Sequence, residues 1–161
     1  MGLFDKLLNK QDPAEIEKYK SLKESFKNSS AQRFNKFYFD SEKKQLFIDK
    51  TLTTKYALID YNDIVGYAPI EETHSKNKKH GITRAVVGGA LAGGVGAIVG
   101  AATGGKNADF VDKLGVVIQT SGNQSFKLMF INVETKKGFV TSTAYDQFEK
   151  VQALLNGIVN K

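Results

Sequence analysis

RAVVGGALAGGVGAIVGAATGGK, residues 84–106, decides how the rest of the chain is read. From Ala85 to Ala102 no side chain is polar, and six of those eighteen residues are glycine. Small residues recur every four positions in two adjacent rows. One row is Ala85, Gly89, Gly93, Ala97, Ala101 and Gly105; the other is Gly88, Ala92, Gly96, Gly100 and Gly104. Wound as a helix, these rows make a smooth face, with Val87, Leu91, Val95 and Ile98 or Val99 as a bulky ridge opposite. Smooth faces let helix backbones approach closely, an arrangement used where lipid supplies no driving force of its own. The pattern is a glycine zipper.

Glycine costs about 1 kcal/mol relative to alanine within a helix, so the segment needs lipid, a close partner or a non-helical role. At about 1.5 Å per residue the apolar run reaches roughly 27 Å, marginal against a hydrocarbon core of about 30 Å. Three readings stand. The segment inserts in or lies on a membrane, with a hairpin bend near Gly93-Gly94 as a variant; it packs on protein or on another copy; or it is a flexible glycine-rich insertion. A phosphate-binding loop is excluded. GAATGGKN, residues 100–107, ends in Asn107 where that motif needs Ser or Thr, and no strand leads into it.

Working outward, His74–Arg84 carries Lys76, Lys78, Lys79 and Arg84 with His74 and His80 and no acid. With Lys106 on the far side, these cations suit anionic headgroups, where each contributes about 1 kcal/mol close to the surface. The bland counterpart is a solvated loop. The two histidines stand six apart with no carboxylate or thiol between them, so no metal site is expected. Both flanks of the segment read as strand. Upstream, the expected strands are Arg33–Asp40, Gln45–Lys50, Lys55–Asp60 and Asp63–Glu71, with Pro69 marking a bulge or edge. Downstream they are Asp112–Thr120, Ser125–Ile131 and Gly138–Thr141, with a turn at Glu134–Lys137. The insertion thus interrupts one antiparallel domain, and Glu72 and Asp109 are expected near a common loop end.

The ends of the chain read as helix. Leu3, Phe4, Leu7 and Leu8 form a short amphipathic stripe. Asp12-Pro13-Ala14-Glu15 then caps a helix running to about Lys27, through Ile16, Tyr19, Leu22 and Phe26. At the other end, Ser142 or Thr143 caps a helix with Phe148, Val151, Leu155 and Ile158 in one stripe.

The chain resembles a bacterial pleckstrin-homology-like protein of the small kind found in Gram-positive bacteria and their prophages. The resemblance is carried by MGLFDKL at the start, LIDYNDIVGYAPIEE at residues 58–72, the basic spacer, and GGALAGGVGAIVGAATGGK at residues 88–106. It implies an α+β fold: a seven-stranded antiparallel barrel closed by the C-terminal helix, with N-terminal helices and the glycine-rich helical insertion between strands four and five. The implied organisation is N-terminal helices at residues 1–30, a pleckstrin-homology-like domain at 31–160, and the insertion at 73–108 within it. Eukaryotic relatives often bind phosphoinositide between their first strands. Here that turn is DSEKK, residues 40–44, which makes no convincing phosphate cradle.

Composition narrows the function classes. The 161 residues hold no cysteine or tryptophan, so disulfides and thiolate metal sites are excluded. The net charge of +6 comes from 23 basic and 17 acidic residues spread along the chain, a weak pull towards anionic partners. The N-terminus does not read as a secretory signal, and Lys6 speaks against myristoylation at Gly2. No nucleophile, acid–base pair or cofactor motif stands on an expected rigid element, so catalysis and cofactors are not expected. The expected role is a non-enzymatic, cytoplasmic or membrane-face module. It self-associates or attaches to an anionic membrane through Gly89, Gly93, Gly96, Ala97, Gly100 and Gly104 with the Val87–Val99 ridge. Alternatives are a soluble protein-interaction or inhibitor protein of prophage type, and a weak nucleic-acid binder stacking bases on Tyr38, Phe39, Phe47 and Tyr56. Interleaved acids count against the last.

Overall fold

A computed structural model describes residues 12–76, 82–83 and 108–160. The described chain falls into two compact units, divided between Ile59 and Asp60.

The first unit opens with α1 (Pro13–Lys27), begun as its sequence dictates: the Asp12 carboxylate accepts from the Ala14 N–H at 3.0 Å, and Pro13 occupies the first turn. It continues into an antiparallel sheet of β1 (Gln32–Phe34), β2 (Phe37–Asp40), β3 (Gln45–Ile48) and β4 (Ala57–Asp60), ordered β1-β2-β3-β4. The expected single strand Arg33–Asp40 is a hairpin instead. Phe34 pairs with Phe37 across a two-residue turn in which Asn35 takes φ 55°, a left-handed conformation Asn tolerates better than most side chains. Asp40 shapes the next turn, its Oδ1 accepting from the Glu42 and Lys43 amides. α1 packs by aromatic contact, with Phe26 stacked on Phe47 at 5.2 Å and edge-on to Tyr38 at 6.5 Å. Such pairs add about 0.5–1.5 kcal/mol to the burial they accompany.

The second unit holds a 3-10 turn (Tyr61–Asp63), β5 (Ile64–His74), β6 (Ile82–Thr83), β7 (Phe110–Thr120), β8 (Ser125–Ile131), β9 (Thr135–Lys136) and α2 (Phe139–Val159). The sheet runs β6-β5-β7-β8, with β9 also on β7. Leu114, Val116 and Ile118 alternate inward as the period-two pattern requires, and all three are fully buried. α2 packs on β5, β7 and β8 and buries Phe148, Val151 and Leu155. Tyr145 reaches from it to Glu71 at 2.6 Å; burial, then that hydrogen bond, push its hydroxyl pKa up.

The barrel expectation is therefore corrected. Among the described residues there are nine strands in two open sheets, and neither sheet closes on itself. α2 covers a sheet face of its own unit instead of stopping a barrel end. Strands of three or four residues in the first sheet leave little ladder from which to carry hydrogen bonding around a barrel. The expected strand Gly138–Thr141 is the start of α2, whose Gly138 N–H donates to Thr141 Oγ1; the strand lies just before it, where a turn was expected. Pro69 lies opposite Val116, and β6 reaches only Glu72 and Thr73 on the other edge of β5, so no neighbouring ladder needs a Pro69 N–H. The stripe Leu3–Leu8 lies outside the described residues, as does most of the insertion; its Ile82–Thr83 forms β6 on β5.

Candidate functional site at the root of the insertion

β5 and β7 are adjacent antiparallel strands, and their pairing ends at His74 and Phe110. The chain therefore leaves β5 and enters β7 at neighbouring backbone positions, after pairing with the other edge of β5 through β6 on the way. Asp109 fastens that point three ways. Its N–H donates to the His74 carbonyl at 3.0 Å, its carbonyl accepts from the Lys137 N–H at 2.9 Å, and its Oδ2 accepts from the Lys76 N–H at 2.9 Å. The expected common loop end is there, two residues later than Glu72.

Three ionisable side chains meet beside this root. His74 Nδ1 lies 2.8 Å from Asp112 Oδ2, and His74 Nε2 lies 3.5 Å from Glu134 Oε2. The local backbone explains the meeting. Glu72 pairs with Lys113 and Thr73 with Val111, so Asp112 is the extra residue of a β-bulge, a device that re-aims a side chain. β9 pairs with the first residues of β7, which brings the preceding Glu134 alongside. The imidazole is stacked on Phe110, with centroids 4.9 Å apart and planes 9° from parallel. A carboxylate only accepts, so Nδ1 carries the hydrogen of the Asp112 contact. That hydrogen bond raises the imidazole pKa, with Asp112, Glu134 and Asp109 adding charge attraction. His74 was visible in the sequence, but its partners lie far along the chain, beyond any spacing motif.

Exposed apolar side chains sit in the same stretch. Val133, Phe139 and Val140 are 73%, 87% and 66% exposed, flanking the β9 segment whose Lys137 is tied to Asp109.

Of the expected site residues, Lys76 is described, with its backbone in the root. Lys78, Lys79, Arg84, Lys106, Val87, Leu91, Val95, Val99, Gly89, Gly93, Gly96, Ala97, Gly100 and Gly104 lie outside the described residues. The aromatics suggested for base stacking are accounted for otherwise, since Tyr38, Phe39 and Phe47 are buried and Tyr56 packs on Tyr19 and Phe47. Among the described residues, no helix is long and apolar enough to cross a membrane.

Two sheets, a C-terminal helix and a long insertion between β5 and β7 make up a pleckstrin-homology-like scaffold. The chain belongs to the family of glycine-zipper-containing PH domains, whose model matches residues 23–132, from within α1 to just past β8. No curated protein and no solved structure matches it.

Proposed function

We propose that this scaffold holds the glycine-zipper segment by both ends and presents it for self-association at an anionic membrane surface. The observation that carries the reading is the root. The base of the insertion is joined by the Asp109-to-His74 backbone bond, and β6 pairs with the last residues of β5 just before the glycine-rich run, so both ends of that run lie near the same end of one strand. Exposed Val133, Phe139 and Val140, with Lys136 and Lys137 between them along the chain, support a lipid surface as the partner.

The glycine spacing supplies the test. Gly93→Leu and Gly100→Leu should each abolish close self-association, because an isobutyl group cannot fit where backbones touch. Leu91→Ala, on the ridge, should affect association less. Hydrophobicity alone predicts the opposite ranking, since the leucine variants are more apolar and better helix formers. Crosslinking yield in detergent and in vesicles separates the two, and unchanged association in both leucine variants would refute the zipper. For the membrane arm, changing Lys76, Lys78, Lys79 and Arg84 to Gln should weaken binding to anionic vesicles and flatten its salt dependence. Equal binding by both proteins at low salt would remove the headgroup role.

A further inference from the structure

We infer that the root of the insertion is a binding site for a divalent transition metal of the zinc class, with His74 Nε2 and Glu134 as ligands and Asp112 as the residue that fixes the imidazole. The inference stands apart from the zipper reading, because every residue in it belongs to the scaffold.

The two imidazole nitrogens face carboxylates at different distances, and the difference is chemically informative. At 2.8 Å, Nδ1 and Asp112 Oδ2 make an ordinary charge-assisted hydrogen bond. At 3.5 Å, Nε2 and Glu134 Oε2 are too far apart for a good one. Metal–ligand bonds of about 2.0–2.2 Å in a tetrahedron place neighbouring ligand atoms roughly 3.3–3.6 Å apart. The Nε2–Oε2 separation matches that edge, the spacing that two ligands of one ion take up. With its hydrogen on Nδ1, the neutral ring has its lone pair on Nε2, the side facing Glu134. A histidine that ligates through one nitrogen while donating from the other to a carboxylate is the usual outer-shell arrangement at zinc.

Preorganisation supports the same conclusion. The Phe110 ring fixes the plane of the imidazole, and the Asp112 bulge fixes its rotation. Glu134 is 61% exposed, so an ion can approach from solvent and keep water in its remaining positions. An imidazole nitrogen favours zinc, copper or nickel over magnesium and calcium, which prefer oxygen alone.

The test uses the full, untagged, chelator-treated chain titrated calorimetrically with Zn²⁺, and separately with Mg²⁺, at neutral pH. One Zn²⁺ per chain should bind, with no comparable Mg²⁺ binding. Glu134→Gln and His74→Gln should each weaken Zn²⁺ binding at least about tenfold, and Asp112→Asn by about ten- to a hundredfold. His80→Gln, which alters the other histidine, should leave it within about twofold. Glu134 is exposed, so its variant reports on ligation even where His74→Gln disturbs folding. Absence of Zn²⁺ binding, equal Mg²⁺ binding, retention in Glu134→Gln, or loss in His80→Gln would each overturn the assignment.

Discussion

Two polar clusters, one in each unit, use similar chemistry to opposite ends. In the first unit Tyr19, Lys23 and Asp49 close on one another. Lys23 Nζ lies 2.7 Å from Asp49 Oδ2 and 3.2 Å from the Tyr19 hydroxyl, which itself donates to Asp49 Oδ1. Asp49 is mostly buried, and each of its carboxylate oxygens has a partner from α1. In the second unit the imidazole of His74 bridges a half-buried carboxylate and a largely exposed one, at the point where the insertion leaves β5. A saturated cluster ties a helix to the loop after β3; a cluster with one side open to water can take a ligand. The difference lies in exposure and partner count more than in residue type.

Breaking the saturated cluster should have the largest effect. Asp49→Ala strands Lys23 and the Tyr19 hydroxyl against the protein and should cost about 3 kcal/mol, read as a lower urea midpoint. The same residue governs an acid limb. Burial opposes ionisation of Asp49, but the hydrogen bonds from Lys23 and Tyr19 outweigh it and hold the carboxyl pKa below its ordinary value. A depressed folded-state pKa gives stability that is fully present above the unfolded pKa, about 3.9, and is lost as pH falls through the folded value. Asp49→Asn should therefore narrow its deficit against the native chain as pH drops from 5 towards 2. A deficit constant over that range would show that the ionised carboxylate is not what stabilises the loop.

A second substitution asks whether the second unit is simply softer. A Cβ on Gly115 would lie 2.5 Å from the Leu128 carbonyl and 2.7 Å from Met129 Sδ. The carbonyl belongs to the paired strand and cannot swing aside, so Gly115→Ala should cost about 2 kcal/mol by chemical denaturation. A neutral result would mean that the sheet yields, and the preset geometry beside His74 would lose its support. The smallest effect belongs to Glu134→Gln without added metal, within about 0.5 kcal/mol, because that side chain is mostly in water. A loss as large as that of Asp49→Ala would erase the distinction between the clusters.

Local signals made much of the fold legible. The Asp12-Pro13 cap, the alternation from Leu114 to Ile118 and the Phe148–Leu155 stripe each report a neighbourhood of one or two turns or a single strand, and the structure places them as read. Sheet closure was not legible, because it depends on which distant strands hydrogen-bond. The β1–β2 turn was hidden in an aromatic run, since Asn35-Lys36 is a weaker turn signal than Asn-Gly. β9 has two residues, too few for any period. At the root, His74 drew notice for its sequence neighbours, while its partners arrive through the β7 bulge and the β9 pairing. Exposure and register are properties of the folded chain, and both decide what that histidine can do.

The central claim is that the scaffold is complete without the segment and that the segment carries association. Removing residues 77–107 and joining Lys76 to Ala108 through a short flexible linker gives up the two-residue edge strand β6 but keeps His74, Asp109 and the Lys76 amide contact, and shortening a loop changes closure entropy only slowly. Sedimentation velocity at the same protein concentration, with thermal melting alongside, gives the direct comparison with the full chain. The account predicts a cooperatively melting monomer beside an associating full-length protein. A shortened chain that still associates, or one that melts without cooperativity, would contradict it.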